Sequence, residues 1–143
     1  MRWLALDVGS RRVGVAVGSV PVGAGTALPA LAYTGAEGVA ERVAELIREW
    51  GVEGVVVGIP YTRRGQGRGE RRASAVVEAL RARLQVPVRV ADERGTTAAA
   101  QRVLAEAGVP HGRWSDLIDG VAARLILEGF LSLQNGDSRP DRR

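Results

Sequence analysis

Three stretches of the sequence carry carboxylates where their chemistry stands out. In LALDVGSRRVGVAVG, residues 4 to 18, a single acid, Asp7, interrupts an apolar run. Burying an unpaired carboxylate costs several kcal/mol, so Asp7 needs a cation, hydrogen-bond donors or a wet cleft. PVRVADER poses the same question with two adjacent acids, Asp92 and Glu93, which point to opposite faces of an extended chain. WSDLID adds Asp116 and Asp119, three apart and so neighbours on one side of a helix. Asp119 shares its stripe with Ala122, Ala123 and Ile126, whereas Asp116 in the first turn suits the positive helix end. Acids on three separate elements, with one His and no Cys in the chain, match an oxygen-ligand site for a hard divalent cation such as Mg²⁺. Two such ions roughly 3.5 to 4 Å apart can clamp the attacking water and the leaving oxygen of a phosphodiester. The plainer alternative is one structural acid per element, with Asp7 paired to an Arg. His111, alone in a Gly-Pro loop, reads as a solvated surface residue and is left outside the site.

Elements able to position these acids follow from hydrophobic periodicity. Residues 2–7 and 13–18 are short apolar strands joined closely enough for an antiparallel hairpin, and a third extended segment spans about 27–34. In EGVAERVAELIREW, Val39, Val43, Leu46, Ile47 and Trp50 form one helical stripe, which Gly51 ends. GVVVGIP, residues 54 to 60, is the β-branched run of a strand covered on both faces and hence the centre of the sheet. Residues 61–72 read as a loop, 70–84 as a helix, and PVRVADER as another buried-type strand. Thr96 can cap a helix to about 107, and Ser115 a last one to about 133. The fold class is therefore α/β: a mixed five-stranded sheet, an antiparallel meander followed by parallel strands, flanked by helices. Residues 1–134 form one domain, and the polar segment 135–143 reads as a disordered tail.

With 143 residues the chain can bury roughly 70% of its unfolded surface without staples. The absence of Cys removes disulfide and thiolate-metal chemistry and suits the cytoplasm. No apolar run approaches the roughly 18 residues of a membrane span. The balance is 20 basic to 16 acidic residues, and every basic one is Arg. Codon bias accounts for that equally well, but Arg also suits bidentate contact with phosphate, and a pI near 10.8 favours polyanionic partners.

Four blocks, LALDVGSRRVGVAVG, VVVGIPYTRRG, VADERGTTAAAQRVL and IDGVAARLILEGFL, together resemble the YqgF, or RuvX, family of small bacterial nucleases with an RNase H-like fold. The similarity covers essentially the whole chain. It implies that Asp7, Glu93 and Asp119 are catalytic and bind metal, Mg²⁺ or Mn²⁺, with Asp7 bridging the ions. It also implies that Asp92 is structural and that Arg94 and Thr96 lie beside the substrate backbone. The reaction implied is hydrolysis of a phosphodiester by water, without a covalent enzyme intermediate. One departure is that HGRWSDLID has Arg113 where relatives are expected to carry Lys, which puts any role specific to Lys in doubt.

The segment from Arg63 to Arg72 holds five Arg, three Gly and one Glu, at the edge where open α/β sheets bind ligands. Arg63, Arg64, Arg68, Arg71 and Arg72, with Arg11 of the hairpin, are therefore candidate phosphate contacts. Only Tyr61 is an aromatic neighbour, so backbone shape rather than base stacking is the expected mode of recognition. The partner expected is structured RNA or branched DNA, bound by a monomer or homodimer without a membrane. The resemblance implies either trimming of the 5′ end of precursor 16S ribosomal RNA or resolution of four-way DNA junctions. DVGSRRVGVAV also looks like the first phosphate loop of actin-like ATPases and sugar kinases, but those need a second domain to close on ATP. A non-catalytic nucleic-acid-binding module is the third reading.

Overall fold

The computed structural model describes residues 1–19, 25–61, 67–93 and 95–136, with side chains through Leu133. Strands β1 (Arg2–Val8), β2 (Arg12–Ser19) and β3 (Gly25–Ala32) are followed by helix α1 (Ala36–Trp50) and strand β4 (Gly54–Ile59). Helix α2 (Arg68–Arg83), strand β5 (Val88–Asp92), helix α3 (Thr96–Glu106), a 3₁₀ turn (His111–Arg113) and helix α4 (Trp114–Gly136) complete the order. The strands form one sheet, β3-β2-β1-β4-β5, with the first three antiparallel and β1, β4 and β5 parallel. That is the expected mixed sheet, and β1, rather than β4, is its middle strand.

Alternation along the strands sends side chains into two separate cores. Leu4, Leu6, Val13, Val15, Val55 and Val57 face α1 and α2, meeting Val39 and Val43 of one helix and Val76 and Leu80 of the other. The opposite face is lined with smaller side chains. Ala5, Ala16 and Val56, together with Trp3, receive Ala123, Ile126, Leu127 and Leu131 of α4. Phe130 closes this layer edge-on against Trp3, with ring centroids 4.7 Å apart. Helix α3 packs on α4.

Gly51 ends α1 in the left-handed conformation, as its position indicated. Three local expectations change. Helix α2 begins at Arg68, two residues early, so Arg68, Arg71 and Arg72 lie on its first turns rather than in a loop. Arg is a good helix former, and beyond Gly67 only Gly69, on the first turn, works against the run. Strand β5 is not covered on both faces: it is the sheet edge, with Arg89, Asp92 and Val90 exposed, Val90 at 43%. Thr96 and Ser115 do not cap helices: α3 starts at Thr96 after a left-handed Gly95 without a side-chain cap, and α4 already includes Trp114 and Ser115. Of the expected tail, residues 137–143 fall outside the described residues.

The small-residue floor under α4 is testable. A Cβ at Gly14 would run into the Asp119 carbonyl, whose carbon would lie 2.6 Å away, whereas one at Gly129 on the outer side of α4 meets nothing. Gly14→Ala is expected to lower unfolding stability by about 1–3 kcal/mol, and Gly129→Ala to raise it by about 0.5–1 kcal/mol. Urea denaturation of both variants checks this, and equal effects at the two positions would contradict the close approach.

Candidate active site

Asp7 sits near the C-terminal end of the middle strand, on the α4 face. Its cross-strand partners are Gly14 on β2 and Gly58 on β4. The carboxylate thus stands between two positions without side chains, and each vacancy admits a different element. Over Gly14 the backbone of Asp119 comes down onto the sheet. Over Gly58 lies Glu93: a Cβ there would be 3.2 Å from the Glu93 Cβ and 2.6 Å from the Ile126 Cδ1. A glycine inside a strand marks close approach by another group. Gly14 in RVGVAV and Gly58 in VVVGIP are the site-forming residues that reading the acids alone had missed.

Glu93 is the first residue beyond β5. Its N–H continues the ladder to the Ile59 carbonyl at 3.1 Å, and its own carbonyl accepts from Thr96 N–H at 3.0 Å. This pinning resolves the choice between the adjacent acids, because Asp92 is exposed while the Glu93 side chain hydrogen-bonds Asp7. Two carboxylates in contact cannot both be charged without a cation. Burial pushes the Glu93 carboxyl up to about 9, helped by the Asp7 charge, the hydrogen bond Glu93 donates to Asp7, and the charge of Asp92. Burial also raises Asp7, opposed by that hydrogen bond and reinforced by the Asp119 charge. The pair shares one proton, held on Glu93.

Asp119 lies close enough to act on Asp7 electrostatically, but its carboxylate points elsewhere. Arg12 Nε donates to Asp119 Oδ2 at 2.9 Å, and Arg12 Nη2 donates to the Ser115 carbonyl at 2.9 Å. Among the described residues no three His, Cys, Asp or Glu side chains form a group able to hold a metal ion. The donor chemistry nonetheless fits a hard dication: the Asp7 and Glu93 oxygens already share a single positive particle, and a cation could replace that proton.

The candidate phosphate contacts are dispersed. Arg11 is exposed on the hairpin, and Arg68 and Arg71 are exposed on the first turns of α2. Arg72 is half-buried, with its guanidinium 5.9 Å from the centre of the Tyr33 ring. Thr96 is half-buried at the start of α3, and Arg63, Arg64 and Arg94 lie outside the described residues. Asp116 is exposed in the first turn of α4, and exposed His111 stacks on Trp114 with ring centroids 4.1 Å apart.

A family model described as RuvX, Holliday junction resolvase, matches residues 1–133. A relative from Chromohalobacter salexigens is 41% identical over 130 residues, covering 90% of this chain and 88% of its own. One from Pelotomaculum thermopropionicum is 40% identical over 142 residues, covering 97% and 92%. Both carry the name "Putative pre-16S rRNA nuclease". Among solved structures, Thermus thermophilus RuvC in complex with a Holliday junction superposes with a TM-score of 0.61 at 19% identity, covering 97% and 98% of the two chains. The Fowlpox virus resolvase bound to Holliday junction DNA gives 0.60 at 10% identity, covering 94% and 99%. These likenesses establish the fold as that of the RNase H-like resolvases.

The shared proton has a measurable consequence. Unfolded, Glu93 ionises near its ordinary 4.5, and folded only near 9, so between these values the unfolded chain binds fewer protons. The contribution to stability is complete below about 4.5 and is lost as pH rises through about 9. In EDTA, Glu93→Gln, which can donate to Asp7 at every pH, is expected to gain thermal stability relative to the parent as pH rises across this window. A constant difference in Tm between the two proteins would show that no proton is shared.

Proposed function

The chain belongs to the RuvX family, and from that membership we propose that it is a divalent-metal-dependent nuclease acting in the cytoplasm on the 5′ end of precursor 16S ribosomal RNA. The observation that carries the reading is the Asp7–Glu93 carboxylate contact, seated between two strand glycines where α4 brings Asp119. Ordinary structural acids do not need a floor cleared of side chains.

Asp7 and Glu93 are the residues to hold Mg²⁺ or Mn²⁺, and Asp119 is the third. A divalent ion held there supplies positive charge against the phosphate and lowers the pKa of bound water. The protein's own groups do the rest. Asp7 is fixed by strand pairing on both sides, so its oxygens are pre-positioned. Glu93, protonated against Asp7 here, would have to give up that proton to hold a cation. Water adds to phosphorus and gives up a proton to solvent while the P–O ester bond breaks and the departing oxygen takes up a proton from solvent, with no nucleophilic side chain required. Exposed Arg11, Arg68 and Arg71 offer positive charge to the flanking backbone, joined in this reading by Arg63, Arg64, Arg72, Arg94 and the Thr96 hydroxyl.

The family description favours a second reading, resolution of four-way DNA junctions, which requires two active sites in symmetric register and hence a dimer. Cleavage of a precursor rRNA substrate and of a four-way DNA junction, compared in Mg²⁺ and Mn²⁺ at matched salt, separates the two. Asp7→Asn, Glu93→Gln and Asp119→Asn are each expected to reduce cleavage by about a hundredfold or more, since even outer-shell groups at metal sites are worth ~10–100-fold. Substrate binding should persist, and log affinity should fall with log salt by about 0.9 per duplex phosphate neutralised. Cleavage that survives these substitutions, or EDTA, would overturn the assignment.

A further inference from the structure

The third acid is occupied. Arg12 and Gly14 both face α4 from β2, two residues apart and therefore roughly 7 Å along the strand. Asp7 lies directly across from Gly14 on the next strand, about 5 Å away. With its backbone seated over Gly14, Asp119 stands between two partners: Arg12 on its own side and the Asp7–Glu93 pair on the other. In this structure its side chain has turned to Arg12. The guanidinium makes two bonds, one to the Asp119 carboxylate and one to the Ser115 carbonyl, and so grips the first turns of α4. The arrangement is half-open to solvent, with the Arg12 side chain 49% exposed and that of Asp119 24%. An exposed guanidinium–carboxylate pair is a weak bond, and phosphate competes well for the same planar fork.

We infer that Arg12 is a positioning residue that keeps Asp119 in reserve: it holds the third carboxylate away from the Asp7–Glu93 pair until a backbone phosphate takes the guanidinium, so that arriving nucleic acid completes the metal-ligand set. The inference rests on the nuclease reading of the site. In the free protein only the Asp7 and Glu93 carboxylates would then be available to hold a cation. Phosphate exchange at Arg12 would free the Asp119 side chain, whose backbone already sits over Gly14 opposite Asp7, to turn toward the pair. No covalent step is involved. The cost is low affinity for the ion without substrate. The gain is that a dication and a third carboxylate meet only when there is a phosphodiester between them.

The test is Mn²⁺ titration of the whole protein, read by calorimetry or by the electron paramagnetic resonance of free Mn²⁺, without and with a phosphorothioate-backbone duplex that keeps the backbone anion and resists hydrolysis. Without the duplex, Arg12→Ala is expected to bind Mn²⁺ about threefold to tenfold more tightly than the parent, while Asp119→Asn binds as the parent does. Removing a cation near a metal site also tightens binding by simple charge, so the deciding variant is Arg12→Ala in the Asp119→Asn background. Loss of the gain there supports the reserve, and persistence of the full gain overturns it. Should Arg12→Ala fail to fold, the parent still decides: the duplex is expected to tighten Mn²⁺ binding in the parent and not in Asp119→Asn, and equal tightening in both overturns the inference. If Asp7→Asn leaves Mn²⁺ binding unchanged in every case, it is the metal site itself that fails, an outcome distinct from failure of the Arg12 exchange.

Discussion

A carboxylate in the middle strand of a five-stranded sheet is the constraint around which this molecule is arranged. Asp7 has a paired strand on each side, a helix above and a hydrophobic layer below, and an ionised side chain there must be compensated. The solution is local and steric. The two residues directly opposite are glycines, and the space they leave is taken by a second carboxyl on one side and by a helix backbone on the other. The small side chains of the α4 face extend the same solution, since Ala5 and Ala16 let a long helix lie low enough to bring Asp119 to the sheet. The two faces thereby divide the work. Larger aliphatic side chains under α1 and α2 supply most of the burial, and the shallower face, at its Asp7 end, gathers the carboxylates.

Compensation by a shared proton is a poor final state for two acids, and that is its use. A site satisfied by a full set of arginines would hold its charge as an ordinary ion pair and have little affinity for a cation. Here Glu93 meets Asp7 with a proton, and the Arg12 guanidinium is bonded to Asp119. Among the described residues the pair is thus met by a proton rather than an ion pair, within a chain whose formal net charge is +4.

Much of this was legible in the sequence because the relevant signals are short-range. Period-two runs located the strands, the stripe from Val39 to Trp50 located α1, and Asp7 announced itself by interrupting an apolar strand. What the sequence hid is long-range or collective. The loop expected through Arg72 is helix from Arg68, because helix propensity prevailed over the glycines around it. The exposure of β5 could not be read from PVRVADER, since an edge strand and a central strand differ in neighbours rather than in composition. Spacing alone left Asp92 and Glu93 equivalent, and the ladder bond from Glu93 N–H to Ile59 separates them. The Arg12–Asp119 pair joins residues 107 apart, and nothing in the RR dipeptide says which arginine turns inward.

The distance along the chain between the acids also orders events during synthesis. Asp7 emerges within the first strand, Glu93 after most of the sheet, and Asp119 only with the last described helix. Domains fold from the N-terminus as they leave the ribosome, so a partly made chain can pair β1 with β2 and β4 while its α4 face, Trp3 included, remains bare. Such an intermediate exposes an apolar floor and still lacks the backbone that covers Gly14. Concealment of that apolar face and the seating of Asp119 over Gly14 arrive together, in the docking of one helix.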